Sequence, residues 1–253
     1  AAAGEGTMIV DCHVHLNNYH EDTTETLAEC LESLQRSMRV NRVDQALILT
    51  SYKVTPGRPS TLRVLEAIRD LPHLSVVAGL DFGSFEAEQL DALVPHVQAG
   101  RGRGLKLYPG YQPFYPGDEK WNPAYAFAAE HRIPVMIHTG DTYSPDGKVK
   151  YSHPLHVDSV AVDHRDVKFV ICHLGNPWIR DCMEVVYKNA NVYTDISGLV
   201  LGKFSDRFED YMRKQFQEML LYGVEPDRVL YGTDWPISSM ESYLEFMQEL
   251  AMP

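Results

Sequence analysis

Two histidines separated by one residue end a short apolar run in the segment MIVDCHVHLNN, residues 8–18. Side chains alternate between the two faces of a strand, so His13 and His15 share one face and Cys12 points to the other. Imidazole is a common ligand of divalent metals. The spacing alone is a weak indication, because 11 histidines in 253 residues predict about half of one such pair by chance. Whether the pair binds a metal therefore depends on further candidate ligands later in the chain.

Four more side chains that bind metals or move protons follow apolar runs later in the chain. They are Lys106 in GLKLYP, His138 in VMIHTG, His173 in FVICHLG and Asp234 in VLYGTDWP. Any one of them is more often a capping or turn group, but six such residues after five apolar runs are hard to explain in that way. Imidazole and carboxylate together suit Zn²⁺, and three or four protein ligands with an open position are typical of catalytic sites. Alternation turns Cys12 and Cys172 to the opposite side, so no thiolate ligand is expected.

Strand-length apolar runs alternate eight times with longer segments that have apolar residues at intervals of three and four, the pattern of amphipathic helices. The predicted strands are Met8–Cys12, Gln45–Thr50, Leu74–Leu80, Gly104–Tyr108, Val135–His138, Lys168–Cys172, Val192–Asp195 and Arg228–Gly232. The predicted helices are Thr24–Arg39, Thr61–Leu71, Glu86–Gln98, Pro123–His131, Leu155–Asp163, Trp178–Lys188, Asp206–Tyr222 and Met240–Leu250. Strands that alternate with helices in this way form parallel sheets.

The pattern predicts a single α/β domain over residues 8–253, a (β/α)₈ TIM barrel, because that fold takes about 250 residues. Residues 1–7, AAAGEGT, have no apolar periodicity, and we expect them to be an added remnant or an unstructured start. An open doubly wound sheet is the alternative, but DCHVHL stands where its Gly-x-Gly-x-x-Gly turn would be. Barrel enzymes build active sites at the C-terminal ends of their strands, so the six candidate side chains are predicted to meet at one rim.

The charge and hydrophobicity patterns argue against several classes of partner. The chain carries 23 basic and 35 acidic residues, a net charge of −12, with no basic stripe for nucleic acid or an anionic membrane. Its apolar runs are far shorter than the roughly 20 residues that cross a bilayer. The four cysteines form no C-x-x-C pair, which is typical of a reducing compartment. We expect a cytoplasmic protein with a small-molecule substrate; the sequence leaves the oligomeric state open, and a homo-oligomer is compatible with it.

The order of these motifs resembles the amidohydrolase superfamily: D-x-H-x-H after the first strand, histidines at the ends of the fifth and sixth, and G-T-D after the eighth. The segments IHTG, HLGNPW and YGTDWP are most similar to the branch that contains aminocarboxymuconate semialdehyde decarboxylase and 2-pyrone-4,6-dicarboxylate lactonase. The resemblance implies one divalent metal on a set of four residues, with His173 beside it as a polarising or proton-transferring group. The implied ligands are His13, His15, His138 and Asp234.

The tetrapeptide KLYP at Lys106–Pro109 also resembles dihydroorotase, in which the corresponding lysine is carboxylated and bridges two metals. That alternative implies a second ion on Lys106, His138 and His173. We expect one ion, zinc first and manganese second, with Lys106 as an unmodified ammonium that contacts a substrate carboxylate.

The leading hypothesis for function is hydrolysis of a small cyclic ester or amide, with lactones first. Asp234 would accept a proton from a metal-activated water and deliver it to the leaving group, and His173 would stabilise charge on the carbonyl oxygen. The runner-up is a non-oxidative decarboxylase of a small unsaturated or aromatic carboxylic acid. A third class is a non-catalytic barrel that keeps the metal ligands as a binding module.

The substrate pocket is expected to come from long loops that leave the rim, residues 109–122 and 139–154. Aromatic side chains in them could equally pack over the end of the barrel. The nearest cations for an anionic substrate are Lys106, Arg103 and Arg180. The predicted substrate contacts are Lys106, Tyr108, Tyr111, Trp178 and Trp235. We expect ordinary surface or interface roles for the other histidines, His20, His73, His96, His131, His153, His156 and His164.

Overall fold

Eight parallel strands pair in the order of the sequence in the computed structural model, which describes residues 6–16, 25–200 and 202–250. They are β1 Val10–Val14, β2 Gln45–Leu49, β3 Leu74–Gly79, β4 Gly102–Leu107, β5 Val135–Ile137, β6 Phe169–Ile171, β7 Val192–Asp195 and β8 Val229–Leu230. The residues after β8 close the sheet against β1: the Cys12 amide donates to the Tyr231 carbonyl at 3.0 Å, and the Asp234 amide donates to the His13 carbonyl at 2.8 Å. The predicted (β/α)₈ barrel is therefore confirmed.

Helices lie between consecutive strands and cover the outside of the barrel. They are α1 Leu27–Asn41, α2 Thr61–Ala67, α3 Val94–Gln98, α4 Asn122–His131, α5 Leu155–Asp163, α6 Ile179–Lys188, α7 Asp206–Tyr222 and α8 Met240–Glu249. Short 3₁₀ helices cover Ala87–Leu93, Glu119–Trp121, Val149–Tyr151, Cys172–Gly175 and Pro226–Arg228. Within the described part of the chain, no helix is both long and apolar enough to span a membrane.

The third predicted helix, Glu86–Gln98, is wrong as a continuous α-helix. The chain forms a 3₁₀ helix over Ala87–Leu93 and then the short helix α3. Pro95 lies in the first turn of α3. Proline has no amide hydrogen, and its ring would collide with the carbonyl four residues earlier, so one α-helix cannot run through this position.

Polar caps fix where several helices begin. Thr26 and Glu29 form a capping box: the Glu29 amide donates to Thr26 Oγ1 at 3.2 Å, and the Thr26 amide donates to Glu29 Oε2 at 2.7 Å. Ser60 accepts from the Arg63 amide at 3.3 Å and begins α2. The predicted start of the first helix at Thr24 lies outside the described residues, as do His20 and residues 1–5, so those expectations stay predictions.

Strand β1 covers Val10–Val14 rather than the predicted Met8–Cys12. An apolar run underestimates this strand, because the strand contains the polar residues Asp11 and His13, both 0% exposed, where its register against β2 shifts. They stay in a strand because buried partners satisfy their polar atoms, as described below. The shift places His13 within the strand and His15 immediately after it.

Candidate metal centre

Three potential metal ligands from the two ends of the chain meet at the C-terminal mouth of the barrel. His13 Nε2 lies 3.1 Å from His15 Nε2. Asp234 Oδ1 lies 3.3 Å from His13 Nε2 and 2.8 Å from His15 Nε2. All three residues are buried, with exposed fractions of 0%, 5% and 7% respectively. The alternation of β1 aims both imidazoles inward, and the closure of the barrel brings Asp234 to them.

Hydrogen bonds on the far side of each ring fix the tautomers of the two histidines. His13 Nδ1 lies 2.8 Å from Asp195 Oδ2, and His15 Nδ1 lies 3.0 Å from the Leu49 carbonyl oxygen. A carboxylate and a carbonyl only accept hydrogen bonds, so both Nδ1 atoms carry the hydrogen and donate it. Each Nε2 then presents a lone pair toward the other Nε2 and toward Asp234, an arrangement that is repulsive unless a cation lies between them.

A buried oxygen of Asp234 also indicates that a cation binds here. Among the described residues, none donates a hydrogen bond to the buried Asp234 Oδ1. His15 Nε2 is 2.8 Å away, but in the assigned tautomer that nitrogen has no hydrogen to donate. A buried carboxylate oxygen without a donor is costly and calls for a counter-charge. Two imidazole nitrogens and one carboxylate oxygen suit Zn²⁺ and are also acceptable to Mn²⁺. The residues present therefore fit a divalent ion.

The protonation states of the ligands agree with metal binding. Burial, assisted by the charge of Lys106, lowers the pKa of His13 to about 3. Burial alone would raise the pKa of Asp234, but the close contact of its carboxylate with His15 and the neighbouring histidines outweighs this effect and holds the pKa well below its usual range. At neutral pH the site thus offers neutral imidazole and ionised carboxylate, the forms that bind a metal.

A buried carboxylate at the start of the motif holds the backbone of both ligand segments. Asp11 Oδ1 accepts from the His13 and Thr233 amides, each at 3.1 Å, and Oδ2 accepts from Thr233 Oγ1 at 2.6 Å. Asp234 follows with φ of 68°, a left-handed conformation that costs about 1–3 kcal/mol outside glycine. Burial raises the pKa of Asp11 to about 7 against these hydrogen bonds. Asp11 and Thr233 together stabilise the strained position from which Asp234 reaches the histidines.

His173 reaches the rim through a turn rather than through the strand. β6 ends at Ile171, and His173 and Leu174 have φ of 65° and 53°. Alternation no longer applies there, so the expectation that Cys172 faces away from the site is wrong. Cys172 is buried inside the barrel, where its sulfur accepts a hydrogen bond from Lys106 Nζ at 3.3 Å.

The ring of His173 lies between two other candidate histidines. Its centroid is 5.1 Å from that of His13 and 5.2 Å from that of His138. His173 Nδ1 lies 2.8 Å from the Ser197 carbonyl oxygen and donates to it. Burial lowers the pKa of His173, although the nearby carboxylates oppose this effect. The neutral ring therefore presents the lone pair of Nε2.

His138 lies in the same cavity but outside the close group of three ligand atoms. Its Nε2 is 3.0 Å from the Asp141 carbonyl oxygen, so Nδ1 carries the lone pair. The residue is 3% exposed, and burial holds the pKa of His138 well below its usual value. Its role as a fourth ligand stays a prediction.

Asp195 is a central residue that the sequence analysis did not single out. Its Oδ2 faces His13 Nδ1, while its Oδ1 accepts from the His173 amide at 2.9 Å and from Ser197 Oγ at 2.6 Å. Potential ligand atoms of His13, His173 and Asp195 also lie within 4.8 Å of one another. Here a hydrogen accounts for each short contact, and the bonds and charges of His13 lower the pKa of Asp195 despite its burial. This second group therefore holds protons rather than a second ion.

Asp195 could have been found from its place in the chain. It ends β7 in the segment NVYTDISG, as the other candidates end or follow their strands. Its segment lacks a neighbouring histidine or a recognised motif, which is why it escaped notice.

The ligands open into a cavity of about 470 Å³. Lys106, Tyr108 and Tyr111 line it, as do His138 and His173. Lys106 is 1% exposed and lines the cavity. Its ammonium contacts Cys172 Sγ at 3.3 Å and lies 5.0 Å from the centre of the Tyr108 ring, and it forms no ion pair with an acid among the described residues. The aromatic wall continues with Tyr143, whose amide donates to Tyr111 Oη at 2.8 Å.

Two predicted substrate contacts do not line this cavity. Trp178 packs against His153, with ring centroids 4.8 Å apart, and Trp235 packs against the hydrophobic core. Other aromatic residues of the long loops are structural: Phe114 and Trp121 are 2% and 0% exposed. Periodicity and loop length gave no information on which way these rings turn.

A model of the amidohydrolase family matches residues 10–252, while a search of curated proteins found no significant match. The motif-based resemblance to the amidohydrolase superfamily is confirmed by this match.

Solved structures share the fold. An uncharacterised TIM-barrel protein from Bordetella bronchiseptica has a TM-score of 0.71 at 20% identity, covering 98% of this chain and 92% of that one. A probable 2-pyrone-4,6-dicarboxylic acid hydrolase from Acinetobacter baumannii has a TM-score of 0.67 at 12% identity, with coverage of 96% and 92%. A 5-carboxyvanillate decarboxylase from Novosphingobium aromaticivorans with bound manganese has a TM-score of 0.66 at 12% identity, with coverage of 99% and 93%. At these identities the likeness establishes the fold, and both named neighbours represent chemistries of the expected branch.

Proposed function

The chain belongs to the amidohydrolase family, and we propose that it is a metal-dependent hydrolase that opens a small cyclic ester or amide, with lactones as the first substrate class. The single observation that carries this proposal is the convergence of His13 Nε2, His15 Nε2 and Asp234 Oδ1 at the floor of the cavity. Because the Nδ1 hydrogens of both histidines are donated elsewhere, a cation would relieve the repulsion among these three atoms. A divalent ion bound there supplies Lewis acidity and lowers the pKa of water toward about 7.

We further propose one ion per chain, zinc first and manganese second, held by His13, His15 and Asp234 with His138 as fourth ligand. Lys106 is proposed as an unmodified ammonium, and its Nζ lies 3.3 Å from Cys172 Sγ. The hydrogens assigned around Asp195 argue against an ion between His13, His173 and Asp195.

The chain's own groups supply the proton transfers. Asp234 binds through Oδ1, and its Oδ2 accepts the proton of the attacking water and passes it to the leaving group. Gly198 leaves space there: a Cβ at this position would lie 2.7 Å from both Asp234 Oδ2 and His173 Nδ1. Since neutral His173 has its Nε2 free of hydrogen, the tautomer favours a proton-transferring role for it over the charge-stabilising role expected from the sequence.

The cavity walls position the substrate and limit access of water. Tyr108 is held by a hydrogen bond from its hydroxyl to the Thr50 carbonyl oxygen at 2.5 Å. Tyr108 and Tyr111 form an aromatic wall with centroids 6.4 Å apart, which suits a flat ring. The Lys106 ammonium on the floor binds a carboxylate of the substrate.

A decarboxylase of a small unsaturated or aromatic carboxylic acid is the second candidate. It is favoured by the burial of Lys106 without an acidic partner among the described residues, because a substrate carboxylate would supply the missing counter-charge. In that reaction the bond from carbon to the carboxylate breaks, CO₂ leaves, and His173 or Asp234 takes a proton from water and delivers it to the carbon.

The test is turnover by purified protein loaded with zinc or manganese, against lactones, cyclic amides and aromatic carboxylic acids. Hydrolysis predicts ring-opened acid without gas, whereas decarboxylation predicts CO₂ in equal amount to product. The variant D234A, folded and metal-loaded, is expected to lose turnover; near-normal turnover would rule out the proposed role of Asp234. Full metal content with no turnover of any substrate would support the non-catalytic barrel instead.

A further inference from the structure

The outer wall of the metal cavity carries a cation that the sequence analysis did not consider. Residues of the segment after β2, among them Ser51, Lys53 and Arg58, line the same cavity as His15 and Asp234. The arginines expected to meet an anionic substrate lie elsewhere. Arg103 is exposed near the start of β4, and Arg180 forms an ion pair with Glu218 at 3.1 Å.

A tight turn fixes the position of Arg58. The Thr55 amide donates to the Arg58 carbonyl at 3.1 Å, and the Arg58 amide donates to the Thr55 carbonyl at 3.0 Å. Pro56 and Gly57 form the turn between them, the residue types that favour such a bend. The side chain is half-buried, and its Nη1 lies 3.4 Å from Ser51 Oγ.

The guanidinium of Arg58 has no acidic partner within the described part of the chain. Its contact with Ser51 occupies one N–H group and leaves most of its five donors available. Several other arginines are paired with carboxylates or backbone carbonyls. They are Arg36, Arg69, Arg101, Arg180, Arg213 and Arg228.

Ser51 contributes a second unused donor at the same place. The residue is 7% exposed, and its Oγ accepts from the Lys53 amide at 3.2 Å and from Arg58 Nη1. Among residues 6–16, 25–200 and 202–250, none accepts the Ser51 hydroxyl hydrogen. A buried hydroxyl beside a guanidinium, both with donors to spare, is suited to an anion and to no cation.

The subsite is close to the metal ligands. His15 Nδ1 donates to the Leu49 carbonyl, and Ser51 follows Leu49 by two residues, so the Cα atoms of Leu49 and Ser51 are at most about 7 Å apart. Tyr52 and Tyr108 line the same cavity, with ring centroids 5.1 Å apart. We therefore expect one small planar ring to reach both ends.

We propose that Ser51 and Arg58, with Lys53 at the entrance, form an anion-binding subsite that takes a carboxylate remote from the reacting bond. The substrate class is then a small planar acid or lactone with a second carboxylate on the far side of its ring. The assignment of the reacting end rests on the proposed function; the subsite itself does not.

The test is calorimetric binding of isophthalate and benzoate, which differ by one carboxylate, to metal-free and zinc-loaded protein. The variants are R58Q and the matched control R63Q, which removes an exposed arginine from α2, outside the cavity lining. We expect isophthalate to bind wild type more tightly than benzoate. In R58Q its affinity should fall about tenfold or more, the loss of a charge-assisted hydrogen bond, while benzoate affinity and all affinities in R63Q stay within about twofold.

Two further variants check the geometry. R58K keeps the charge but not the planar fork, so we expect an affinity between wild type and R58Q. S51A should weaken isophthalate binding by about two- to tenfold through the lost hydroxyl donor. Thermal melting of each variant verifies that it is folded.

Equal isophthalate affinity in wild type and R58Q would overturn the subsite, as would equal affinity for isophthalate and benzoate in wild type. Because the metal-free protein is measured as well, the outcomes separate. If R58Q weakens isophthalate binding but the protein turns over no substrate, the anion subsite is supported and the proposed function is not. If the protein turns over lactones but R58Q does not change isophthalate binding, the proposed function is supported and the subsite is not.

Discussion

The two nitrogens of the His13 ring face opposite kinds of neighbour. On the Nδ1 side, a hydrogen joins the imidazole to Asp195 at 2.8 Å, and Ser197 supplies further hydrogens to the same carboxylate. On the Nε2 side, His15 Nε2 lies 3.1 Å and Asp234 Oδ1 lies 3.3 Å away, yet the tautomers leave these atoms no hydrogen to share. Short contacts on the two sides thus have different causes. One side is a hydrogen-bond network, and the other is a set of lone pairs suited to a cation.

The largest expected effect comes from removing either histidine of the pair. H13A and H15A should both lose the bound ion and at least about 10³-fold in kcat/KM, because each deletes a ligand. Only H13A also leaves Asp195 Oδ2 buried without its hydrogen-bond donor, which should cost about 1.5–3 kcal/mol in the free energy of unfolding. Elemental analysis and denaturant unfolding of the metal-free proteins measure the two effects. If H15A destabilises the metal-free chain as much as H13A, the two sides of the ring do not differ as described.

The next largest effect is expected from a variant that crowds the proton-transferring atoms of Asp234 and His173. A Cβ in G198A would lie 2.7 Å from Asp234 Oδ2 and His173 Nδ1, so both groups must move and kcat/KM should fall about 100-fold. Metal affinity should change less, since Oδ1 is the proposed ligand atom.

The matched control is G202A. Gly202 also has positive φ, 79°, but a Cβ there would meet nothing within 4 Å. Both variants place an alanine at a positive φ, which strains the backbone, and only G198A also brings a Cβ against Asp234 and His173. A similar loss of kcat/KM in the two would show that backbone strain, and not crowding of the site, is responsible.

D195N addresses the hydrogen-bonded side directly. The amide keeps the shape but removes the charge and one acceptor, so His13 is held less firmly in the tautomer that presents Nε2. Zinc affinity, measured by competition with a chromophoric chelator, should fall about 10- to 100-fold. S197A leaves the carboxylate in place and should have a smaller effect. Unchanged affinity in D195N would mean that Asp195 does not orient the ligand.

The smallest effect is expected at a half-buried carboxylate on the outside of the barrel that accepts two hydrogen bonds. Asp158 Oδ1 accepts from Lys188 Nζ at 2.6 Å and from Asn189 Nδ2 at 2.7 Å. Partial burial raises the pKa of Asp158, but these bonds lower it more, so the net shift is downward. A lowered folded-state pKa stabilises the protein above the unfolded-state pKa and loses that contribution as pH falls through the folded value.

D158N should therefore reduce the free energy of unfolding by less than about 1 kcal/mol at pH 7. Denaturant unfolding at pH 7 and in acid checks the sign, because the difference from wild type should shrink as pH falls below the usual range for aspartate. A difference that grows in acid would contradict the downward pKa shift. Metal content should be unaffected.

The sequence predicted the fold and the face of β1 because both follow from regular periodicity. Eight alternations of strand and helix specify a barrel, and alternation along a strand is enough to aim His13 and His15 inward. The same rule failed at Cys172, since the left-handed turn at His173 ends the alternation that the rule assumes. It also missed the break before Pro95, where amphipathic spacing continues but the backbone cannot.

Periodicity rules cannot place side chains that lie on loops. Arg58 and Ser51 lie on a turn whose direction depends on packing against the rest of the mouth, and no periodicity encodes it. Trp178 was expected in the pocket from its residue type, but its ring packs on His153 instead. Asp195 was accessible in principle, because it occupies the same strand-end position as the other candidates.

The most direct test is a zinc-edge anomalous difference map of crystals of the zinc-loaded protein. The account predicts one peak per chain, between His13 Nε2, His15 Nε2 and Asp234 Oδ1, with His13 Nδ1 still bonded to Asp195. A peak at Nδ1 of His13 beside Asp195, or a second peak at Lys106, would contradict it.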